Sequence, residues 1–213
     1  MGAVEIRDCD SENVEKCAEV VAESFKNEVM TEYLFDFSKD STYQAYRRNI
    51  ANEARGVAES GCRVLAALRD GEVSGVALIK SNRKLPLGKR ITLLMKRLRC
   101  IAPMVLKIRI GRALSVRNTI PAPKSLKGNY IILLALAVHP KYQNQGIGKK
   151  LLSQIHSISE NDPDSSGVYL FTADKKNQIL YEKVGYKTID ERHAGDLTVY
   201  HMFRENRNAQ KAC

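Results

Sequence analysis

Apolar and polar positions alternate at the very start of the chain, where Val4 and Ile6 stand between charged neighbours, and a short opening strand is predicted. The period then lengthens. Val14, Cys17, Ala18, Val21 and Phe25 recur at helical spacing, a first helix. Ser41 followed by Gln44 is a capping-box start, and Tyr43, Tyr46, Ile50, Ala54 and Val57 mark the face of a second helix that Gly61 ends. Arg63–Leu68 and Val73–Ile79 flank Asp70-Gly71, the turn pair of a β-hairpin. In the segment Lys84–Lys127, Ile91, Leu94, Leu98 and Ile101 share one helical face, Pro103 breaks the pattern, and a weaker one runs to about Val116. Tyr130–Val138 is apolar throughout, the mark of a strand buried on both faces. Gly146 opens a helix with the face Ile147, Leu151, Leu152, Ile155 and Ile158. Val168–Phe171 is a strand, Asn177–Val184 a short helix closed by Gly185, and Tyr186–Ile189 with Leu197–Phe203 a last strand pair. The tail Arg204–Cys213 is polar and expected to fray. This order predicts a mixed α/β fold, one twisted sheet with helices on both sides.

Composition adds limits. The chain has 213 residues, 44% of them hydrophobic and 27% charged, as expected of a single globular domain. Its longest uncharged apolar stretch is far shorter than the ~20 residues of a membrane span. Met1–Arg7 is short, mixed and carries Glu5, so no signal peptide is expected. The five cysteines are odd in number and show no metal-ligand spacing, which fits a reduced, cytoplasmic setting. Charge is unevenly placed: seventeen of the 34 basic residues and none of the 24 acidic ones fall between Val73 and Ser159. The remainder is net acidic. An acid-free basic block of this length points to an anionic partner such as a nucleotide cofactor, a nucleic acid or a membrane surface.

The stretch with chemistry in it runs from Leu136-Ala-Val-His-Pro140 to Gln143-Asn-Gln-Gly146-Ile-Gly148-Lys149-Lys150. A buried strand enters a tight loop and then a helix. Glycines at 146 and 148 allow close backbone approach, and the helix N-terminus adds partial positive charge, which together suit phosphate oxygens. The loop is too short for a Walker A motif and lacks the third glycine of a dinucleotide fingerprint.

Gln143-x-x-Gly146-x-Gly148 after Val138-His-Pro140 resembles the acyl-CoA pyrophosphate loop of the GNAT superfamily of N-acetyltransferases. Asn177-x-x-x-Tyr181 before Gly185-Tyr186 looks like that family's closing signature. The basic segment before Tyr130 is similar to that of puromycin acetyltransferase-like members. The resemblance implies a mostly antiparallel sheet of about seven strands, splayed between the fourth and fifth, with residues 1–205 as one domain, a basic helical insert at about 84–127 and a polar tail at 206–213. It implies acetyl-CoA as cofactor and a small-molecule amine as acceptor, with no nucleic acid, no transmembrane segment, and a monomer or homodimer. Leu136, Ala137 and Val138 would border the pantetheine arm. Backbone amides across Gln143, Asn144, Gln145, Gly146, Gly148 and Lys149 would hold the diphosphate. Asn177 would reach the cofactor from the opposite side, and Tyr181 would stand near the thioester sulfur as hydrogen-bond donor or general acid.

Reference acidities shape those roles. A thiolate's conjugate acid near ~8.5 against ~10 for tyrosine makes full proton transfer uphill, so hydrogen bonding to the developing thiolate is the safer role for Tyr181. A lysine-type amine, pKa ~10.4, is deprotonated so rarely at pH 7 that the deficit is worth about 4.6 kcal/mol of barrier. Many family members place a glutamate on the strand before the loop, but Ile131–Val138 contains no acid. Glu28, Glu32 and Asp36, four residues apart, would share one side of a helix and could attract or deprotonate the amine. His193 and His201 near the last strand pair are further relay candidates. The missing strand acid also leaves open a catalytically silent acyl-CoA-binding domain. The basic block likewise leaves open a nucleic-acid or membrane-surface module, although only Tyr130 and Tyr142 could offer it a stacking platform.

Overall fold

A computed structural model describes residues 3–55, 62–83, 86, 88 and 107–207. The helical face Ile91–Ile101, the predicted end of the second helix at Gly61 and the last six residues lie outside them. The elements are β1 (Val4–Asp8), α1 (Val14–Phe25), α2 (Val29–Leu34), α3 (Asp40–Arg55), β2 (Cys62–Arg69), β3 (Glu72–Ser81), α4 (Ile110–Val116), β4 (Asn129–Val138), α5 (Ile147–Glu160), β5 (Ser165–Thr172), α6 (Lys175–Glu182), β6 (Lys187–Ala194) and β7 (Leu197–Glu205). The strands form one seven-stranded sheet in the order β1-β2-β3-β4-β5-β7-β6. Every neighbouring pair is antiparallel except β4 and β5, which run parallel.

Local chemistry explains most boundaries. Asp70 and Gly71 both take positive φ, the conformation that lets a two-residue turn follow the twist of β2 and β3. The apolar stripe Ile147, Leu151, Leu152 and Ile155 buries α5 against β3, β4 and β5. On the other face, Cys17 and Val20 of α1 pack on Ala66, Val73, Val76 and Ala137, and α3 lies against α1. Gly75 sets how closely α5 can approach. A Cβ there would stand 2.9 Å from Ile147 Cγ2 and 3.1 Å from the Ala137 carbonyl, so its absence lets the first turn of α5 settle on the sheet.

Two differences from the sequence pattern have clear causes. The fraying expected from Arg204 onward does not begin there. Arg204 ion-pairs with Glu160 at 2.8 Å, and the Asn206 amide donates to the Ser159 and Ser165 carbonyls at 2.7 and 2.8 Å. The segment Glu28–Asp36 is not one helix, because α2 is a short helix that ends at Leu34, with Phe35 extended and bridged to Ile108. Arg109 N–H donates to the Leu34 carbonyl at 2.9 Å and Tyr33 Oη meets Ser115 Oγ at 3.1 Å, so α4 and the residue that precedes it brace α2. Among the described residues no helix is long and apolar enough to cross a membrane.

Candidate active site

The site begins with a strand that loses one of its partners. β4 pairs with β3 from Ile131 to Val138, and the register shifts once because Leu134 is an extra residue between the partners of Ile79 and Leu78. On its other edge β4 meets β5 only at Asn129, Ile131 and Ile132. β5 nevertheless continues to Thr172 against β7. The two parallel strands thus diverge, and a cavity of about 430 Å³ opens between them. Its walls are Leu133–Leu136 and Val138 on β4, Leu170–Thr172 on β5, Ser24 and Phe25 on α1, Glu28, Met30 and Thr31 at α2, Tyr46, Gln143, and Asn177 with Tyr181 on α6. Leu134, inside the apolar run expected to be buried on both faces, is 39% exposed because the crevice is open there. An apolar chamber of about 410 Å³ under α1 and α3 shares Phe25, Tyr46, Leu134 and Ala135 with the crevice.

At one end of the crevice lies the loop into α5. Pro140–Tyr142 forms a single 3-10 turn, then Asn144 and Gly146 both adopt left-handed backbone, φ 61° and 79°. Among the described residues no side chain caps α5, and Gly146 is its N-cap residue. The first-turn amides of Ile147, Gly148 and Lys149 therefore stay available at the positive end of the helix dipole, beside exposed Lys149 and Lys150. Left-handed residues next to a helix start turn successive N–H groups the same way, the backbone arrangement that receives anions. The side chains of this loop brace it: Gln145 Oε1 accepts from Arg69, its Nε2 donates to Lys141 O at 3.3 Å, and Tyr142 Oη donates to Glu72 at 2.7 Å.

The Val138 carbonyl already accepts from Ser24 Oγ at 2.9 Å and Gln143 Nε2 at 3.2 Å. Ser24 has no signal in the sequence beyond its place on α1; only the fold brings it across to β4. Ala137, by contrast, is buried on the α1 side, and only its backbone borders β4's open edge.

Asp174 caps α6 by accepting from Lys176 N at 2.7 Å, which orients the turn that carries Asn177. Tyr181 lies one turn further along and packs edge-on against Tyr186, ring centroids 5.5 Å apart. Burial chiefly, and the negative charge of Glu28 next, push the Tyr181 phenol above its ordinary range, so it stays protonated. Among the three acids four residues apart, Glu28 alone lines the crevice. Its Oε2 caps α2 through Thr31 N and Thr31 Oγ1, both 2.9 Å away. Glu32 is exposed on α2, and Asp36 accepts from Ser38 and faces Arg109 at 3.8 Å. Both lie outside the crevice lining because the helix that would align them stops at Leu34. His201 is buried against Tyr169, Nδ1 to Oη 2.7 Å, and His193 bonds Thr198 at 3.1 Å; neither borders the crevice. Among the described residues no group of three or more His, Cys, Asp or Glu is placed to hold a metal ion.

This geometry can be set beside known proteins. Residues 109–188 match the family model described as acetyltransferase (GNAT) domain. No curated protein matches the chain by sequence. Among solved structures, a Corynebacterium glutamicum protein described as histone acetyltransferase HPA2 and related acetyltransferase superposes with TM-score 0.66 at 17% identity, over 96% of both chains. The PaiA N-acetyltransferase of Thermoplasma acidophilum, solved with coenzyme A, gives TM-score 0.59 at 18% identity over 95% of this chain and 99% of its own. NAA60 of Arabidopsis thaliana, solved with acetyl-CoA, gives 0.54 at 16% over 95% and 98%. Residues 109–188, from α4 through the diverging strands to α6, thus match the GNAT acetyltransferase model, on a chain that has the GNAT fold.

Proposed function

We propose that the protein is an acetyl-CoA-dependent N-acetyltransferase that acts on the primary amine of a small molecule. The observation that carries this reading is the parrallel pair β4–β5, joined only as far as Ile132 and Tyr169 and then parted beside a helix start with no side-chain cap. A slot between parted strands with anion-ready amides at its mouth matches an extended thiol-bearing arm ending in a diphosphate. When bound, acetyl-CoA would supply an acetyl thioester, open to attack by the amine, and a thiolate leaving group.

The chain's own groups divide the remaining work. The open edge of Leu136–Val138 would pair with the arm, with the Gln143 contact on Val138 O the one a ligand amide replaces. Amides of Asn144–Lys149 would hold the diphosphate, with Gln143 and Gln145 shaping the loop. Asn177 would bond the arm from α6. Tyr181, kept protonated by burial, would donate a hydrogen bond to sulfur as negative charge develops there, without giving up its proton. Glu28 is the acid at the crevice wall; its carboxylate would draw a cationic amine toward Tyr181 and receive the proton directly or through water. The route is direct attack in a ternary complex, since among the described residues the lining contains no Cys and its one Ser, Ser24, is bonded to Val138 O. The crevice and adjoining chamber, about 430 and 410 Å³, have the size of small-molecule sites, which supports a small acceptor.

Calorimetric titration with acetyl-CoA tests the reading. Saturable binding is expected, with affinity lowered at least about tenfold in Gly146→Val, because a β-branched residue resists left-handed backbone. A thiol-release screen over small amines and peptide N-termini then reads the acceptor. Absence of binding to the wild-type chain would remove the proposal, and turnover confined to peptides would remove its small-molecule part.

A further inference from the structure

Away from the crevice, the two sulfurs of Cys9 and Cys17 lie 3.2 Å apart. Cys9 follows β1 and is held in place by its N–H donating to Val64 O at 2.8 Å. Cys17 sits in the first turns of α1, its N–H bonded to Asn13 O at 2.8 Å. Both thiols are free. The pair is also asymmetric: Cys9 is partly exposed, while Cys17 is 1% exposed and forms part of the wall of the apolar chamber.

We propose that Cys9 and Cys17 form a peroxide-responsive pair that closes to a disulfide, with Cys9 the attacking thiol and Cys17 the resolving one. The gap must shrink by about 1 Å to reach a covalent S–S length of ~2.05 Å, a movement within the reach of side-chain rotation. Accessibility selects Cys9 for the first step. The thiol–thiol hydrogen bond holds the Cys9 sulfur below the usual thiol range, against the opposing pull of burial and of Asp10, while the same bond and burial push Cys17 up. In the first step Cys9 sulfur attacks one oxygen of hydrogen peroxide. The O–O bond breaks, Cys9 becomes a sulfenic acid, and the other oxygen leaves as water with the thiol proton. In the second step Cys17 sulfur attacks Cys9 sulfur. The S–S bond forms, the S–O bond breaks, and the departing hydroxide takes the Cys17 proton as a second water. The two thiols lose two electrons and the peroxide gains them. Nothing in these steps calls on the crevice, so this proposal and the acetyltransferase reading stand or fall separately.

The experiment treats the folded full-length chain with hydrogen peroxide, quenches with catalase, alkylates free thiols in urea, and digests with trypsin without reduction. Cleavage after Arg7, Lys16 and Lys26 puts the two cysteines on separate peptides, Asp8–Lys16 and Cys17–Lys26. The expected result is these two joined, lighter than their sum by two hydrogens and released by dithiothreitol, while Cys62 remains alkylated. The joined peptide should form faster in the folded chain than in urea, where Cys9 meets the other thiols at random. Cys9→Ser should abolish it and leave the circular dichroism of the fold unchanged. A joined peptide that forms no faster in the folded chain overturns the proposal. So does oxidation of Cys9 to sulfinic acid with Cys17 still alkylated.

Discussion

Between Asn129 and Ile132, β4 pairs with β5; between Leu133 and Val138, β3 is its one partner strand among the described residues. Both halves are built from the same apolar residue types. In the closed half Tyr130 and Ile131 are 8% and 7% exposed, packed by the protein itself, with Tyr130 edge-on to Tyr169 and Phe203. In the open half Leu134 is 39% exposed and lines the cavity. An unpaired strand edge with apolar side chains is ordinarily a liability. Here walls from α1, α2 and α6 enclose it, so residue type alone does not separate packed positions from those that line the crevice; the assembled sheet does.

The largest effect that would test this division is on stability. Ile131→Ala in the closed half should cost about 3 kcal/mol, a fall in Tm of roughly 6–12 °C for a chain of this size. Acetyl-CoA affinity of the folded variant should stay within about twofold. Leu134→Ala in the open half should do the reverse, leaving Tm within about 2 °C and weakening binding several-fold, since its 39% exposed side chain has less protein packing to lose. Scanning calorimetry and titration on both variants measure the contrast. Equal losses of Tm would show that the open half is core after all.

A somewhat smaller free-energy effect concerns the wall opposite β4. Tyr181→Phe should lower kcat by about 10²-fold, the cost of one donor to developing charge, near 2.7 kcal/mol, with acetyl-CoA affinity changed by less than about threefold. Steady-state kinetics with a separate binding titration distinguishes the two. A proportional loss in both would make Tyr181 a packing residue against Tyr186 and nothing more.

The sequence pattern carried the succession of strands and helices along the chain, the hairpin turn and the helix after Gly146, because each rests on local periodicity or on a residue that tolerates positive φ. The α2 boundaries were not legible. They depend on Ile108, Arg109 and Ser115, more than seventy positions away, which brace a segment whose own propensity does not decide its shape. Hence the spacing of Glu28, Glu32 and Asp36 implied a shared face, while the fold leaves Glu28 alone in the crevice. Ser24 and Gly75 were illegible for the same reason. One matters through a bond to Val138 and the other through the approach of Ile147, both contacts that exist only once the sheet is assembled. Gly146, Asn177 and Tyr181 were singled out through a resemblance that rests on local spacing, and the fold puts Gly146 at the start of α5 and the other two on the crevice wall.

The smallest expected effect lies where the closed half's helix meets the open half's wall. His156 on α5 bonds Tyr186 Oη through Nε2 at 3.1 Å, and Tyr186 in turn packs on Tyr181. Burial chiefly, with the Arg204 charge behind it, lowers the His156 pKa to about 4. In the unfolded chain the ring titrates near ~6.5, so as pH falls from there the unfolded chain takes up the proton first. The stability that neutral His156 contributes is whole above pH ~6.5 and is lost as pH drops toward 4. The full shift would amount to about 3 kcal/mol, but solvent reaches the partly exposed ring, and screening reduces the expected loss to about 1 kcal/mol. His201, also lowered by burial, adds loss of the same sign, whereas the carboxylates held low by their partners, such as Asp8 beside Arg63, act mainly below about pH 4. His156→Gln keeps an acceptor for Tyr186 and removes the titration. Denaturant midpoints at pH 7 and pH 5 should therefore differ less in this variant than in the wild-type chain. If the two chains lose the same stability over that interval, protonation of His156 does not link α5 to the crevice wall, and the closed and open halves are energetically independent there.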